Sequence, residues 1–219
     1  MSIQVLGISG SPIQNSNTDR LVKAVLEFTG TETEFVKMSD IDVRPCRACK
    51  GCVVDNICKV KDDFPNLAEK VKQAKALVIG AYCPYSSIDG FTKSFLERLW
   101  SLRHEHNLVQ GKLAVTIVTG LMPMVRDRVS EMMAMEMIMD RMEIVGQLKA
   151  QGNVPCLTCG KGDTCQMSAV PLLFGQDAKA SVDKCIRVED QEEVWQEAQR
   201  LGRLIGRRLN QTNSDLHSA

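Results

Sequence analysis

Residues 3–8 (IQVLGI) form a short apolar run that stops at glycine and serine, the pattern of a strand buried on both faces that feeds a loop. Ser16, Asn17 and Thr18 then offer caps for a helix that buries Leu21, Val22, Val25 and Leu26. A second strand fits residues 33–38 (TEFVKM), a loop fills 40–63, helical spacing returns at Leu67, Val71 and Ala74, and a third strand fits 76–82 (ALVIGAY). The unit repeats with a loop at 83–90, a helix at 91–103, a strand at 113–119 (LAVTIVT), a helix over 125–142 and a strand at 143–149. Another loop covers 153–185 and precedes a last helix from Asp190 to Leu209, whose Val194, Ala198, Leu201, Leu204 and Ile205 share one face. Strands alternating with helices call for crossover connections and a parallel sheet covered on both faces. Five such strands predict a doubly wound α/β three-layer sandwich, strand order 2-1-3-4-5. The expectation is one domain over residues 1–210 and a polar, frayed tail over 211–219.

Composition narrows the picture. The chain has 219 residues, 44% hydrophobic and 25% charged, enough for one sizeable core without covalent staples. Lys plus Arg and Asp plus Glu number 27 each, so no basic field draws nucleic acid or an anionic membrane. No run approaches the roughly 20 apolar residues of a membrane span, and the N-terminus lacks the layout of a signal peptide, so a cytoplasmic protein is expected. There, nine cysteines read as metal or redox sites rather than as a disulfide framework.

In an open parallel sheet, ligands bind beyond the carboxyl ends of the strands where the strand order reverses, which points to the loop after the first strand. That loop, Gly7 to Thr18 (GISGSPIQNSNT), combines small residues, hydroxyls and amides with a helix N-terminus, the ingredients of a phosphate site. It contains neither G-x-G-x-x-G nor G-x-x-x-x-G-K-[ST], which argues against a dinucleotide pyrophosphate and against nucleoside triphosphate hydrolysis. The bland alternative is a polar turn that only caps a helix.

These segments together resemble the iron-sulfur flavoprotein and NADPH-dependent FMN reductase group of the flavodoxin-like superfamily. The resemblance starts at GISGSPIQNSNT, continues through Cys46 to Asp63 and Pro84-Tyr85-Ser86-Ser87, and ends near Gly120, touching roughly the first 150 residues in order. It implies FMN as cofactor. Ser9, Ser11, Asn15, Ser16, Asn17 and Thr18 inherit the phosphate loop. Pro84, Tyr85, Ser86, Ser87 and Ile88 match the loop along the isoalloxazine ring, and Thr119, Gly120 and Leu121 the loop near its polar edge. A flavin needs backbone N–H and hydroxyl donors and flat apolar surface at such places, which agrees; Tyr85 supplies surface or is plain packing. The group's Asp-Arg pair late in the following helix is Glu97-Arg98 here, a mild departure.

Cys46, Cys49, Cys52 and Cys58 follow the spacing C-x2-C-x2-C-x5-C. Thiolates at successive three-residue steps wrap one face of a cubane and a fourth closes it, whereas zinc usually takes two separated pairs. The spacing therefore favours a [4Fe-4S] cluster over zinc or free thiols. With all four ligands present, the resemblance is strongest to the iron-sulfur flavoproteins. No proline follows Cys58, so a two-cluster ferredoxin module is not implied. Cys156, Cys159 and Cys165, with Cys185 as fourth candidate, form a second constellation: a second cluster, zinc, or a reduced loop of buried thiols. Cys83 either faces the flavin or is packed.

Among the remaining features, Met132, Met135, Met139 and Met142 make a stripe on a helix apolar on more than one side, which invites a homodimer or homotetramer interface or serves the core. His104 and His106 read as surface residues, and Asp62 and Asp63 as caps of the next helix. Arg200 to Arg208 reads as a solvated face, or as a dock for an acidic electron carrier.

The reading that follows is an FMN-binding iron-sulfur flavoprotein that moves electrons between a two-electron donor and a one-electron carrier. Its partners would be NAD(P)H or a small redox carrier, or a ferredoxin-like protein. One rival is an NAD(P)H-dependent FMN or quinone reductase with structural cysteines. The other is a zinc-binding regulatory module on the same scaffold.

Overall fold

The apolar runs become the strands β1 (Val5–Ser9), β2 (Thr33–Lys37), β3 (Ala76–Tyr82), β4 (Leu113–Gly120) and β5 (Glu143–Gln151). In this computed structural model, which describes residues 3–217, they form one sheet of order β2-β1-β3-β4-β5, as the alternation predicts. Every neighbouring pair is parallel. β1 is central enough to pair on both sides, Val5 opposite Thr33 and Ala76. A bulge between Ala114 and Val115 interrupts only the β4–β5 register.

Alternating side chains divide the core into two layers. Leu6, Ile8, Leu77, Ile79, Ala114 and Val118 face α2 (Phe64–Gln73), α3 (Gly90–Leu99) and α4 (Pro123–Met139). Val5, Ala76, Val78, Val115 and Ile117 face α1 (Asn17–Glu27) and α6 (Glu192–His217). α1 lies very close to the sheet: a Cβ on Gly80 would fall 2.7 Å from Val22 and 2.8 Å from Thr18, so glycine is what lets the helix seat there.

Several boundaries differ from the sequence reading. α3 tightens into a 3-10 turn at Trp100–Leu102. α4 starts earlier, with Pro123 at its first position, where the missing N–H costs nothing. α6 runs on to His217, past the expected end at Leu209, and the last two residues of the polar tail, 218 and 219, lie outside the described residues. The 153–185 loop is not bare: α5 (Val170–Phe174) and a small core of Val154, Leu157 and Val170 give it structure of its own. On α4, Val129, Met133 and Met137 are the buried face, while Met132, Met135 and Met139 are exposed and Met142 is buried just past the helix. Among the described residues no helix is long and apolar enough to cross a membrane.

Candidate functional site

From β1 the chain moves outward to β2 and then back across to β3, so the strand order reverses at the carboxyl ends of β1 and β3. Three loops meet there, those after β1, β3 and β4.

The first loop is built around an ion pair that sequence reasoning missed. Lys37, the last residue of β2, and Asp19, in the first turn of α1, pair at 2.7 Å with side chains 4% and 2% exposed. Lys37 Nζ also donates to the carbonyls of Ser11 (2.6 Å) and Ile13 (2.9 Å), pinning the loop from beneath. Ser9 donates its hydroxyl to Asp19 (2.6 Å). Ser16 caps α1, its hydroxyl accepting the Asp19 N–H while Asp19 accepts the Ser16 N–H, a reciprocal capping box. Thr18 is buried and shares a 2.7 Å hydrogen bond with Thr119. Asn17 is held between Arg20 and the carbonyl of Ile186, and Asn15 takes a left-handed φ of 52°. The Ser9, Ser16, Asn17 and Thr18 side chains thus hold the loop in shape, and the α1 N-terminus aims its backbone donors into it. Ser11 is buried, and its hydroxyl accepts the Ile13 N–H at 3.4 Å.

The second loop carries two consecutive non-glycine residues in the left-handed region, Tyr85 (φ 47°) and Ser86 (φ 74°). Each costs about 1–2 kcal/mol, strain of the kind that gathers at binding sites. Pro84 is half-buried, the Tyr85 ring is fully exposed, Ser86 and Ser87 are exposed, and Ile88 is buried. Asp89 follows as the N-cap of α3, fully buried, accepting the N–H groups of Thr92 (2.8 Å) and Tyr82 (3.1 Å). Burial pushes its carboxyl up to about 6, with those hydrogen bonds pulling the other way. Gly10 touches this same point: a Cβ there would lie 1.9 Å from the Thr92 hydroxyl and 2.5 Å from Asp89, so only glycine lets the first loop approach the second.

Thr119, Gly120 and Leu121 form the third loop. Arg126 in α4 donates to the carbonyls of Gly120 (2.8 Å) and Leu121 (3.0 Å), and its buried Nε has no partner. Cys83 bridges the second and third loops, with its N–H on the Thr119 carbonyl (2.9 Å) and its side chain against Gly120. Burial raises the Cys83 thiol to about 11, which makes it a packing group rather than a nucleophile.

The 40–63 loop brings Cys46, Cys49, Cys52 and Cys58 to the wall of one pocket, which Arg98 and Trp100 also line. Cys46 and Cys49 are exposed, Cys58 half-buried and Cys52 buried. Burial raises the Cys52 thiol, a backbone hydrogen bond pulls the other way, and the neighbouring Cys58, Cys46 and Cys49 raise it further. Ala48, Lys50 and Asn56 have positive φ (50°, 57° and 56°), which winds the loop tightly enough to gather them. Arg98 anchors its base, pairing with Asp62 at 2.5 Å where both side chains have no exposure, and donating to the Arg44 carbonyl (2.8 Å). Asp62 is therefore the partner of Arg98 as well as a cap that accepts the Phe64 N–H (3.1 Å), while Asp63 accepts the Asp42 N–H (2.8 Å) instead of capping α2. Burial would raise the Asp62 carboxyl, but hydrogen bonds from Arg98, Arg44 and Phe64 hold it below the usual range. The Arg98 guanidinium also lines this pocket, near enough to Cys58 to interact with its sulfur. His104 lies 3.4 Å from the Cys52 sulfur, so it is not the plain surface residue the sequence suggested.

In the second constellation, Cys156 and Cys185 pack half-buried against the Val154–Leu157–Val170 core, while Cys159 and Cys165 are exposed. Cys156 accepts the Ala169 N–H (3.5 Å) and Cys159 the Lys161 N–H (3.4 Å). Among the described residues no group of three or more His, Cys, Asp or Glu, in either cysteine loop, gathers around one point as a single metal ion requires.

Residues 3–151 match the family described as NADPH-dependent FMN reductase. An iron-sulfur flavoprotein of Methanocaldococcus jannaschii is 32% identical over 119 residues, 52% of this chain and 62% of that protein. An iron-sulfur flavoprotein of Methanosarcina thermophila is 28% identical over 121 residues, 54% of this chain and 63% of that protein. The matched part thus spans about three fifths of the length of these relatives. Among solved structures, an NAD(P)H:quinone oxidoreductase from Methanothermobacter marburgensis superposes with a TM-score of 0.61 at 14% identity, covering 93% of this chain and 96% of that one. RosB with a bound flavin-derived intermediate superposes with a TM-score of 0.60 at 15% identity, covering 100% of this chain and 88% of that one. At such identities these two show the shared fold.

Proposed function

The chain belongs to the NADPH-dependent FMN reductase family, one of flavin-dependent oxidoreductases, and from that premise we propose that it binds FMN and a [4Fe-4S] cluster and transfers electrons between a two-electron donor and a one-electron carrier. Bound FMN supplies chemistry open to one or two electrons, and a bound cluster supplies single-electron transfer. The phosphate would sit on the backbone donors of residues 11–18 at the α1 N-terminus, with Ser11, Asn15 and Thr18 closest to hand. The ring would lie along Pro84 to Ile88, its polar edge toward Thr119, Gly120 and Leu121. No side chain in this arrangement need act as a nucleophile or general acid.

The observation that carries the cluster is the single pocket shared by Cys46, Cys49, Cys52 and Cys58. The donor set fits: four soft thiols line one space and are not focused on one ion, beside the buried guanidinium of Arg98. The names of the curated relatives support the same reading. NAD(P)H is the donor class the family name suggests, and a small one-electron carrier would be the acceptor. We also read the exposed Met132, Met135, Ile138 and Met139 on α4 as the face that a second copy covers.

Stopped-flow reduction tests the division of labour. Cys49→Ala should still accept a hydride equivalent at FMN yet lose most of its transfer to a one-electron acceptor. Equal transfer in the variant and the wild type contradicts the proposal.

A further inference from the structure

His104 and His106 read as surface residues in the sequence, yet the segment that carries them is clamped onto the cysteine loop. Asn56, almost wholly buried between Cys52 and Cys58, uses every polar atom of its side chain on this turn. Its amide donates to the carbonyls of His104 (2.7 Å) and His106 (2.9 Å), and its oxygen accepts the His104 N–H (2.8 Å). Trp100 meets the His104 ring edge-on, with centroids 4.2 Å apart and planes at 82°. Backbone and ring of His104 are thus both fixed, and Nε2 stands 3.4 Å from the sulfur of Cys52, the most buried of the four loop thiols.

From this geometry we infer that His104 is a positioning residue that donates an Nε2–H hydrogen bond to the Cys52 sulfur and raises the reduction potential of the cluster bound there. The inference rests on the assignment of Cys52 as a cluster ligand. A ligating thiolate only accepts, so the ring must present its N–H at Nε2, and the Asn56 clamp keeps that atom facing the sulfur. A hydrogen bond to a cluster sulfur stabilises the added electron, which moves the potential upward. The clamp has a plain purpose on this account, since a free turn would lose the donor to water. Asn56 in turn explains its left-handed backbone, tolerated by asparagine better than by most residues.

The test is an EPR-monitored redox titration of anaerobically prepared wild type, His104→Gln and His104→Phe, with iron counted in each. The expected result is full iron in both variants, a lower midpoint potential in His104→Phe, and an intermediate one in His104→Gln, whose amide keeps a donor at shorter reach. If His104→Phe fails to load iron, His104→Gln decides alone: a lowered potential supports the inference and a wild-type potential overturns it. Equal potentials in all three proteins overturn it too, as does loss of iron from both variants, which would make His104 a ligand or a structural prop. Wild-type protein without iron would instead remove the cluster reading on which the inference stands.

Discussion

Lys37 and Asp19 form an ion pair almost sealed from solvent, 2.7 Å apart with side chains 4% and 2% exposed, and the lysine also holds the carbonyls of Ser11 and Ile13.

 One partner removed leaves the other buried and uncompensated, which costs about 3–5 kcal/mol, while replacing both with apolar groups costs far less.

Lys37→Met should therefore lower stability by about 3 kcal/mol or more and weaken FMN binding, because the carbonyls of Ser11 and Ile13 lose their anchor. The double variant Lys37→Met with Asp19→Leu should recover much of the stability but not the affinity. Urea denaturation and FMN titration of both proteins check this, and unchanged FMN affinity in Lys37→Met would place the phosphate elsewhere.

Asp89 gives a pH dependence of unusual sign. Burial lifts its carboxyl to about 6 in the folded protein, well above the ordinary aspartate range near 3.8. The folded state then holds the proton more tightly, so this group's contribution to stability is full below about pH 4 and is lost as pH rises to about 6. The loss is on the order of 3 kcal/mol. Asp89→Asn should carry a constant cost, because the Tyr82 N–H loses an acceptor, but should abolish that slope. Urea midpoints between pH 4 and 7 measure it, and equal slopes in the two proteins contradict the assignment.

Assembly is the third expectation. Met135 and Met139 are 58% and 60% exposed on α4, beside Ile138 at 51%. Light scattering at micromolar concentration should show a dimer or larger, and Met135→Glu with Met139→Glu should reduce its size. A monomeric wild type removes this face as an interface.

Much of this was legible in the sequence because the strands are buried on both faces and their apolar runs are unbroken, so β1, β3 and β4 followed from the hydrophobic pattern, and the strand order from the doubly wound fold that strand–helix alternation implies. The four-cysteine spacing was equally plain. The charged pairs were not, since Lys37 meets Asp19 and Arg98 meets Asp62 across separate elements, and no local pattern signals such a partner. A lysine set between the apolar Val36 and Met38 was the one available hint. His104 was misread for the same reason: its contacts come from Asn56, 48 positions earlier. Which methionines of α4 face the core was open in the sequence, because they lie all around the helix and leave periodicity little to choose between.

The central claim is the cluster on Cys46, Cys49, Cys52 and Cys58, and metal analysis of anaerobically purified protein tests it most directly. The account predicts about four irons and matching sulfide per chain with FMN bound, from the composition of a [4Fe-4S] centre. Cys49→Ala should lose that iron and its visible shoulder while keeping FMN, and any additional iron or zinc lost in Cys159→Ala would belong to the second loop. Wild-type protein that carries FMN but neither iron nor sulfide would contradict the account and leave a plain flavin reductase.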